Sequence, residues 1–289
     1  MVTAEGAGVR RRQPVRNLWH GAIPAVLLMA AFFALPIGYT MSLSLTPTDA
    51  DGLTLANYAY LFATERYTDA LTRTLFLAVS VVMISSIIAY PLAYFLVFMV
   101  NERLRILLLF LLVAPFWTSF LIRAFAWQLV LSDSGVIAYV IGKLLGAPVA
   151  LGVLYTMTAS IFGLTLFGVM LITLMIFSVM ITIDRRLLEA NAALGGGRWD
   201  GFREIIFPLS APGWLIGALL TFIVCVGDYA VPTLLGGGFK PVLAQIMLST
   251  LKGTYDLSMA ATFAVVLIMV IVLGAIPFLF LVRQVRLQN

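Results

Sequence analysis

Six apolar runs, each of the length needed to cross a hydrocarbon core, restrict this chain to one class of fold. A helix spans the core of a bilayer with about 20 residues. Runs of that order cover approximately 18–41, 74–100, 106–122, 158–183, 213–225 (continuing to about 232) and 257–282. With 62% of its 289 residues hydrophobic and 11% charged, the chain holds more apolar side chain than a soluble domain of this size could hide. The expectation is therefore an all-α, polytopic membrane bundle of six transmembrane helices. The first run is too long for a signal-peptide core and lacks a clear small-residue cleavage site, so it reads as a retained helix. Pro24 and Pro36 in the first run, Pro91 in the second and Pro277 in the last imply kinks. Ser80, Ser85 and Ser86 are small enough to let helices approach closely.

The net charge of +5 follows membrane topology rather than nucleic-acid binding, because cations accumulate on the cytoplasmic side. With a cytoplasmic N-terminus, that side holds twelve arginines: Arg10, Arg11, Arg12, Arg16, Arg103, Arg105, Arg185, Arg186, Arg198, Arg203, Arg283 and Arg286. The other side holds six cations, Arg66, Arg73, Arg123, Lys143, Lys240 and Lys252. Both termini are then cytoplasmic: a basic segment 1–17, a transmembrane domain 18–283 and a short tail 284–289. The stretch 124–157 is apolar but broken by Asp133, Ser134, Gly135, Lys143 and Gly146. It reads as external, with a short membrane-lying helix over 135–145. A seventh span there is the alternative, and it would place the termini on opposite faces.

One stretch is unlike the rest. Between the fourth and fifth runs lies a charged island, 184–212, that faces the cytoplasm in this topology. The expectation is a short helix from Arg185 to Leu194, ended by Gly195-Gly196-Gly197 because glycine tolerates the left-handed conformation of a helix terminus. A second short helix follows, with Trp199, Phe202, Ile205 and Ile206 at helical spacing among Arg198, Asp200, Arg203 and Glu204. Two short helices at an angle form a knob suited to a groove in a soluble partner, although an interfacial loop lying in the headgroups fits the same residues.

The order Glu189-Ala190, then Gly195, then Ile205 and Pro208, resembles the EAA loop of permease subunits of ABC importers, written E-A-A-x3-G-x9-I-x-L-P. Asn191 stands where the pattern has its second alanine and Phe207 where it has leucine. Further stretches are similar to spermidine/putrescine-type permeases: Pro115 to Ser119 with Leu121-Ile122-Arg123, and Gly227 to Gly237. Related permeases for iron, opines and other small solutes carry similar stretches. What the resemblance implies is a type I importer fold in the bacterial inner membrane. It makes Glu189, Ala190, Gly195, Trp199, Phe202, Ile205 and Pro208 the contact with an ATPase. It also implies a second permease, similar but distinct, two ATP-binding subunits and an external solute-binding protein.

Within the chain itself no catalytic or cofactor site is expected. One cysteine, Cys225, and one histidine, His20, leave no disulfide, no thiolate or imidazole metal cluster and no His-based nucleophilic pair. Gly236-Gly237-Gly238-Phe239-Lys240 lacks the G-x4-G-K-[ST] arrangement that cradles phosphates, so ATP and magnesium are expected on the partner ATPase. Ionisable residues at membrane depth are functional candidates because they are expensive to bury. Asp228 is a candidate counter-charge for a cationic solute, and Arg123 lies at similar depth. Phe116, Trp117, Trp127 and Tyr229 offer aromatic faces for a cation. The alternatives are that Asp228 and Arg123 pair with each other, and that the aromatics form an interfacial belt. A self-contained secondary transporter is the rival reading, but beyond Asp228 it lacks intramembrane carboxylates and it lacks an inverted repeat. A membrane enzyme or scaffold fits less well still.

Overall fold

The computed structural model describes residues 16–46 and 52–288, with side chains for 23–46 and 52–283. Segment 1–15, Asp49 and Asp51 lie outside the described residues, as do the side chains of Arg16, His20 and Arg286. Among the described residues the secondary structure is helical throughout. The order is α1 Arg16–Ser44, α2 Ala56–Ala63, α3 Glu65–Tyr94, α4 Glu102–Val113, α5 Phe120–Leu131, α6 Val136–Leu145 and α7 Met157–Met180, then α8 Arg185–Ala193, α9 Arg198–Asp200, α10 Phe207–Gly227, α11 Ala230–Leu234, α12 Leu243–Ser249 and α13 Leu257–Gln288.

Six helical stretches are long and apolar enough to cross a membrane: Ile23–Ser44, Glu65–Met99, Phe120–Leu145, Met157–Met180, Arg198–Gly227 and Leu257–Arg283. The count agrees with the sequence, but the third stretch does not fall at 106–122. Helix α4 ends at Val113 and a 3-10 turn takes Ala114–Trp117. Thr118 and Ser119 are extended, and α5 then runs on to Leu131. Pro115 causes the break, since it has no N–H to give a helix and crowds the residue before it. The run looked continuous in sequence because Phe116 and Trp117 are as apolar as their neighbours. A short helix is present at the expected place as α6, with Gly135 preceding it and Gly146 closing it at φ +73°, but it falls within the third stretch, which corrects the reading of 124–157 as wholly external.

Helices α3, α7 and α10 form the centre, and small residues hold them close. A Cβ at Gly168 would collide with Ser85 Oγ, and one at Gly217 would lie 2.9 Å from Ile172 Cα. In lipid, where apolar surface gains nothing by leaving the solvent, such close approach and interhelical hydrogen bonds carry the association. Trp214 Nε1 donates to Ser86 Oγ at 2.9 Å, Tyr90 and Ser210 share a 3.0 Å hydroxyl contact, and Ser85 Oγ donates to the Thr165 carbonyl at 3.3 Å. Helix α1 packs on the bundle's flank along α13, with its last turn also bonded to Asn57 and Tyr58 of α2, and Ser44 in that turn is its one buried residue among those described.

Buried side chains fall into two clusters. The larger joins Leu61, Leu77, Val81, Leu164, Leu235, Leu243 and Phe263. The smaller, Ala89, Ala93, Val97, Ile172, Ile176, Met180 and Ile206, sits under the charged island with Leu188 and Phe202 packed against it.

Candidate functional sites

The island is built from its caps outward. Asp184 accepts the Arg186 N–H at 2.9 Å and starts α8, the usual role of a short acidic side chain at a helix N-terminus. Gly195 then turns the chain at φ +86°, where a side chain would be strained. The Asn191 side chain lies against Gly196 and donates to the Gly197 carbonyl at 3.4 Å. It therefore steadies the glycine turn, which an alanine at this position could not do. The Asp200 carboxylate accepts the Gly197 N–H at 2.7 Å and opens α9.

The second half of the island is not a separate helix. A π-turn over Gly201–Ile206 joins α9 directly to α10, giving one helical stretch, Arg198–Gly227. The Phe207 N–H reaches the Phe202 carbonyl. Pro208 falls in the first turn of α10, and the wider π-turn just before it takes up the irregularity. The second short helix expected from the sequence is thus corrected to the first turns of a continuous one, with Pro208 inside it.

The seven residues marked on the island divide by exposure. Glu189, Ala190, Gly195 and Trp199 are exposed, whereas Phe202, Ile205 and Pro208 are half-buried. Trp199 stacks on Phe202 at 5.5 Å, and Phe202 lies edge-on to Tyr90 and Tyr94 at 6.1 and 6.2 Å. Phe202 is thereby the aromatic anchor of the island. Glu189, Arg186, Arg198, Arg203 and Glu204 are exposed, and the one salt bridge among the described residues is Arg73–Asp69, far along the chain. Two other arginines donate to backbone carbonyls, Arg105 from a half-buried position and Arg185 from an exposed one. Arg105 Nε donates to the Leu96 carbonyl at 2.8 Å, and its Nη2 to the Val97 and Val100 carbonyls at 3.0 and 3.4 Å. Arg185 Nη2 reaches the same Val97 carbonyl at 3.3 Å. The spacing of the sequence gave no sign of these contacts.

Of the solute-path candidates, three come together. Phe116, Arg123 and Trp127 line an apolar cleft of about 970 Å³ between α3, the α4–α5 break and α7. Arg123 is the one charged residue in its lining. Its Nη1 donates to the Pro115 carbonyl at 3.1 Å and its guanidinium lies over Phe116, 4.3 Å from the ring centroid. The chain's own cation thus takes the ring face that was expected to be open to solute. Trp127 lies edge-on to Phe162 at 5.1 Å, and the buried Thr165 hydroxyl beside them has no hydrogen-bond partner.

Sequence reasoning missed the α7 wall: Thr158, Ile161, Phe162, Thr165, Leu166 and Val169. They follow helical spacing, but α7 is apolar all round, so no stripe stands out.

Asp228, Tyr229 and Trp117 do not line the cleft. Asp228 follows α10 immediately and accepts the Ala230 and Val231 N–H groups at 2.9 and 3.3 Å, capping α11. It does not pair with Arg123, whose partners are Pro115 and Phe116. Trp117 and Tyr229 are exposed. Among the described residues no cluster of His, Cys, Asp and Glu could hold a metal ion.

Over residues 82–287 the sequence matches the family described as the binding-protein-dependent transport system inner membrane component. It is 33% identical over 245 residues to the inner membrane ABC transporter permease protein YdcU of Escherichia coli, covering 80% of this chain and 76% of that protein. It is 30% identical over 236 residues to the spermidine/putrescine transport system permease protein PotB of Salmonella typhimurium, covering 82% and 80%. Among solved structures, a chain of the bacterial alginate ABC transporter in complex with alginate pentasaccharide-bound periplasmic protein aligns over 94% of this chain and 93% of its own, with TM-score 0.73 and 15% identity. A chain of the inward-facing MetNI methionine ABC transporter aligns over 74% and 93%, with TM-score 0.55 and 20% identity. These two likenesses are of fold.

Proposed function

Since the chain belongs to the family of binding-protein-dependent transport system inner membrane components, we propose that the solute it passes inward is a small cation of the polyamine class, such as spermidine or putrescine. As a member of that family it is the permease subunit of an ABC importer. It is a multi-pass protein of the inner membrane, and ATP hydrolysis belongs to a separate subunit.

The observation that carries the coupling half of this reading is the island. Its charged side chains, Glu189 foremost, are exposed and make no ion pair within the described chain, while Phe202 and Ile206 fix it to the bundle. Exposed charge on a rigidly held surface is what a soluble partner can read. Glu189, Ala190, Gly195 and Trp199 form the face offered to the ATP-binding subunit, and Phe202, Ile205 and Pro208 hold that face in place. The arginine bias puts the island and both termini in the cytoplasm. A second, distinct permease, two ATP-binding subunits carrying ATP and magnesium, and an external binding protein complete the assembly.

The polyamine assignment is supported by the PotB relatives and by the sequence stretches at Pro115 and Gly227. In the cleft, Phe116, Arg123 and Trp127 act as walls for weak, transient contact. Asp228, Tyr229 and Trp117 lie outside its lining. A second reading has one specific support: Arg123 is the only charge in the cleft lining, which suits a solute carrying an anionic group. Uptake of labelled spermidine and putrescine by cells making the full assembly tests the two. Saturable, ATP-dependent uptake competed by the other polyamine supports the first reading. Uptake of neither, with competition by a carboxylate-bearing solute in its place, replaces it.

A further inference from the structure

We propose that Arg185 is a positioning residue that ties the island to the corner between α3 and α4, so that movement of the island is delivered to the wall of the cleft. The proposal rests on the reading of the chain as an ATP-driven permease and assigns a role to a residue outside the E-A-A pattern.

The argument starts at the end of α3. Every helix leaves its last carbonyls without intrahelical partners, and here the helix closes in a π-turn, Phe95–Met99, before Val100 goes extended. In a membrane bundle those carbonyls are expensive to leave unpaired. Arg105, from the first turn of α4, satisfies three of them. A guanidinium is suited to this, because its fork presents several donors in one plane and its charge complements the negative end of the helix. Asn101, between the two helices, caps α4 by accepting the Leu104 N–H at 3.0 Å. The corner is thus closed from the α4 side.

Arg185 reaches it from the other side. It is the first residue of α8, the island helix that carries Glu189, and it donates to the Val97 carbonyl that Arg105 also holds. Val97 is buried at 5% exposure. One buried carbonyl therefore links α8 with α3 and, through Arg105, with α4. Helix α4 has no buried residue of its own, so little else resists its displacement. It leads into Pro115, Phe116 and Arg123, which line the cleft. A push on α8 is transmitted through charge-assisted bonds, the stronger class of hydrogen bond, to a helix that no buried side chain holds in place.

The test places spin labels on exposed positions of α3 and α4, Ile87→Cys and Leu107→Cys, in a Cys225→Ala background within the complete assembly in lipid. The inter-label distance is read before and after addition of ATP and magnesium. The expected result is a distance shift in the parent that is lost in Arg185→Ala and restored in Arg185→Lys, since a single donor is enough for the Val97 carbonyl. Three results overturn the proposal: a shift that survives Arg185→Ala, no shift in the parent, or loss of the ATP-binding subunits on Arg185→Ala, which would make the residue a docking contact. If the parent itself purifies without an ATP-binding subunit, the functional reading fails first, and that failure is visible before any distance is measured.

Discussion

Helix α10 is entered and left by two connections that each carry a run of three glycines and are built in opposite ways. The island before it, 184–206, leaves its charged side chains exposed and touches the bundle through a few apolar anchors. The connection after it, 228–256, is folded back into the bundle, and Val231, Leu235, Val242, Leu243, Ala244 and Ile246 are all buried there. Its backbone is paired accordingly: the Leu243 N–H donates to Thr74 Oγ1 on α3 at 2.9 Å, and the Val242 N–H donates to Gln245 Oε1 at 2.9 Å. A connection that packs inward must satisfy its own polar groups. One that leaves them facing out is available to another molecule. The difference is the one expected between a part of the scaffold and a surface open to a partner.

That contrast can be broken by substitution. The largest effect on stability is expected in the second connection. Leu243→Ala should lower the unfolding free energy by about 2 kcal/mol, the low end for leucine truncation, because lipid accepts the released apolar surface as readily as protein does. Thermal unfolding in detergent checks this; an unchanged midpoint would mean that the connection is not part of the scaffold. In the island the expectation reverses. Glu189→Arg should leave the unfolding midpoint in place while ATP hydrolysis stimulated by loaded binding protein falls about tenfold or more, equivalent to about 1.4 kcal/mol. A drop in both would make the island structural. The smallest change is Gly195→Ala, which forces a side chain into a left-handed turn at a cost of about 1 kcal/mol. It should reduce coupling partially with little loss of folded protein, read as the ratio of stimulated to basal hydrolysis.

The fold class and the number of spans were legible because apolar length is a direct record of bilayer thickness. Boundaries were less so wherever a break is apolar. Pro115 interrupts the third crossing, but Phe116 and Trp117 keep the hydropathy high across the interruption. The second island helix was read as separate from the fifth crossing, whereas a π-turn lets it run on into α10. Helix α12 passed unnoticed since its seven residues are too few to register as a span and too apolar to register as a loop. In the candidate sites, the island was readable through its charge and its glycines. The cleft was not, because a helix apolar on every side does not disclose which stripe faces a neighbour. Asp228 shows the limit of reading charge alone: a carboxylate next to a helix start can be occupied by backbone N–H groups, and sequence does not separate that from an open counter-charge.

The continuity of Arg198–Gly227 has a mechanical corollary. Thirty residues at about 1.5 Å each make a rod about 45 Å long. Near its midpoint Gly213 lies so close to the Met175 carbonyl of α7 that a Cβ there would be 2.5 Å away. A helix held at its centre moves by tilting there or by bending at Pro212, which lies beside the contact and removes a hydrogen bond from the ladder. Trp199 near one end and Asp228 just past the other are therefore joined through a single point of contact, and the fit of Gly213 against α7 sets how a displacement of one end is shared with the other.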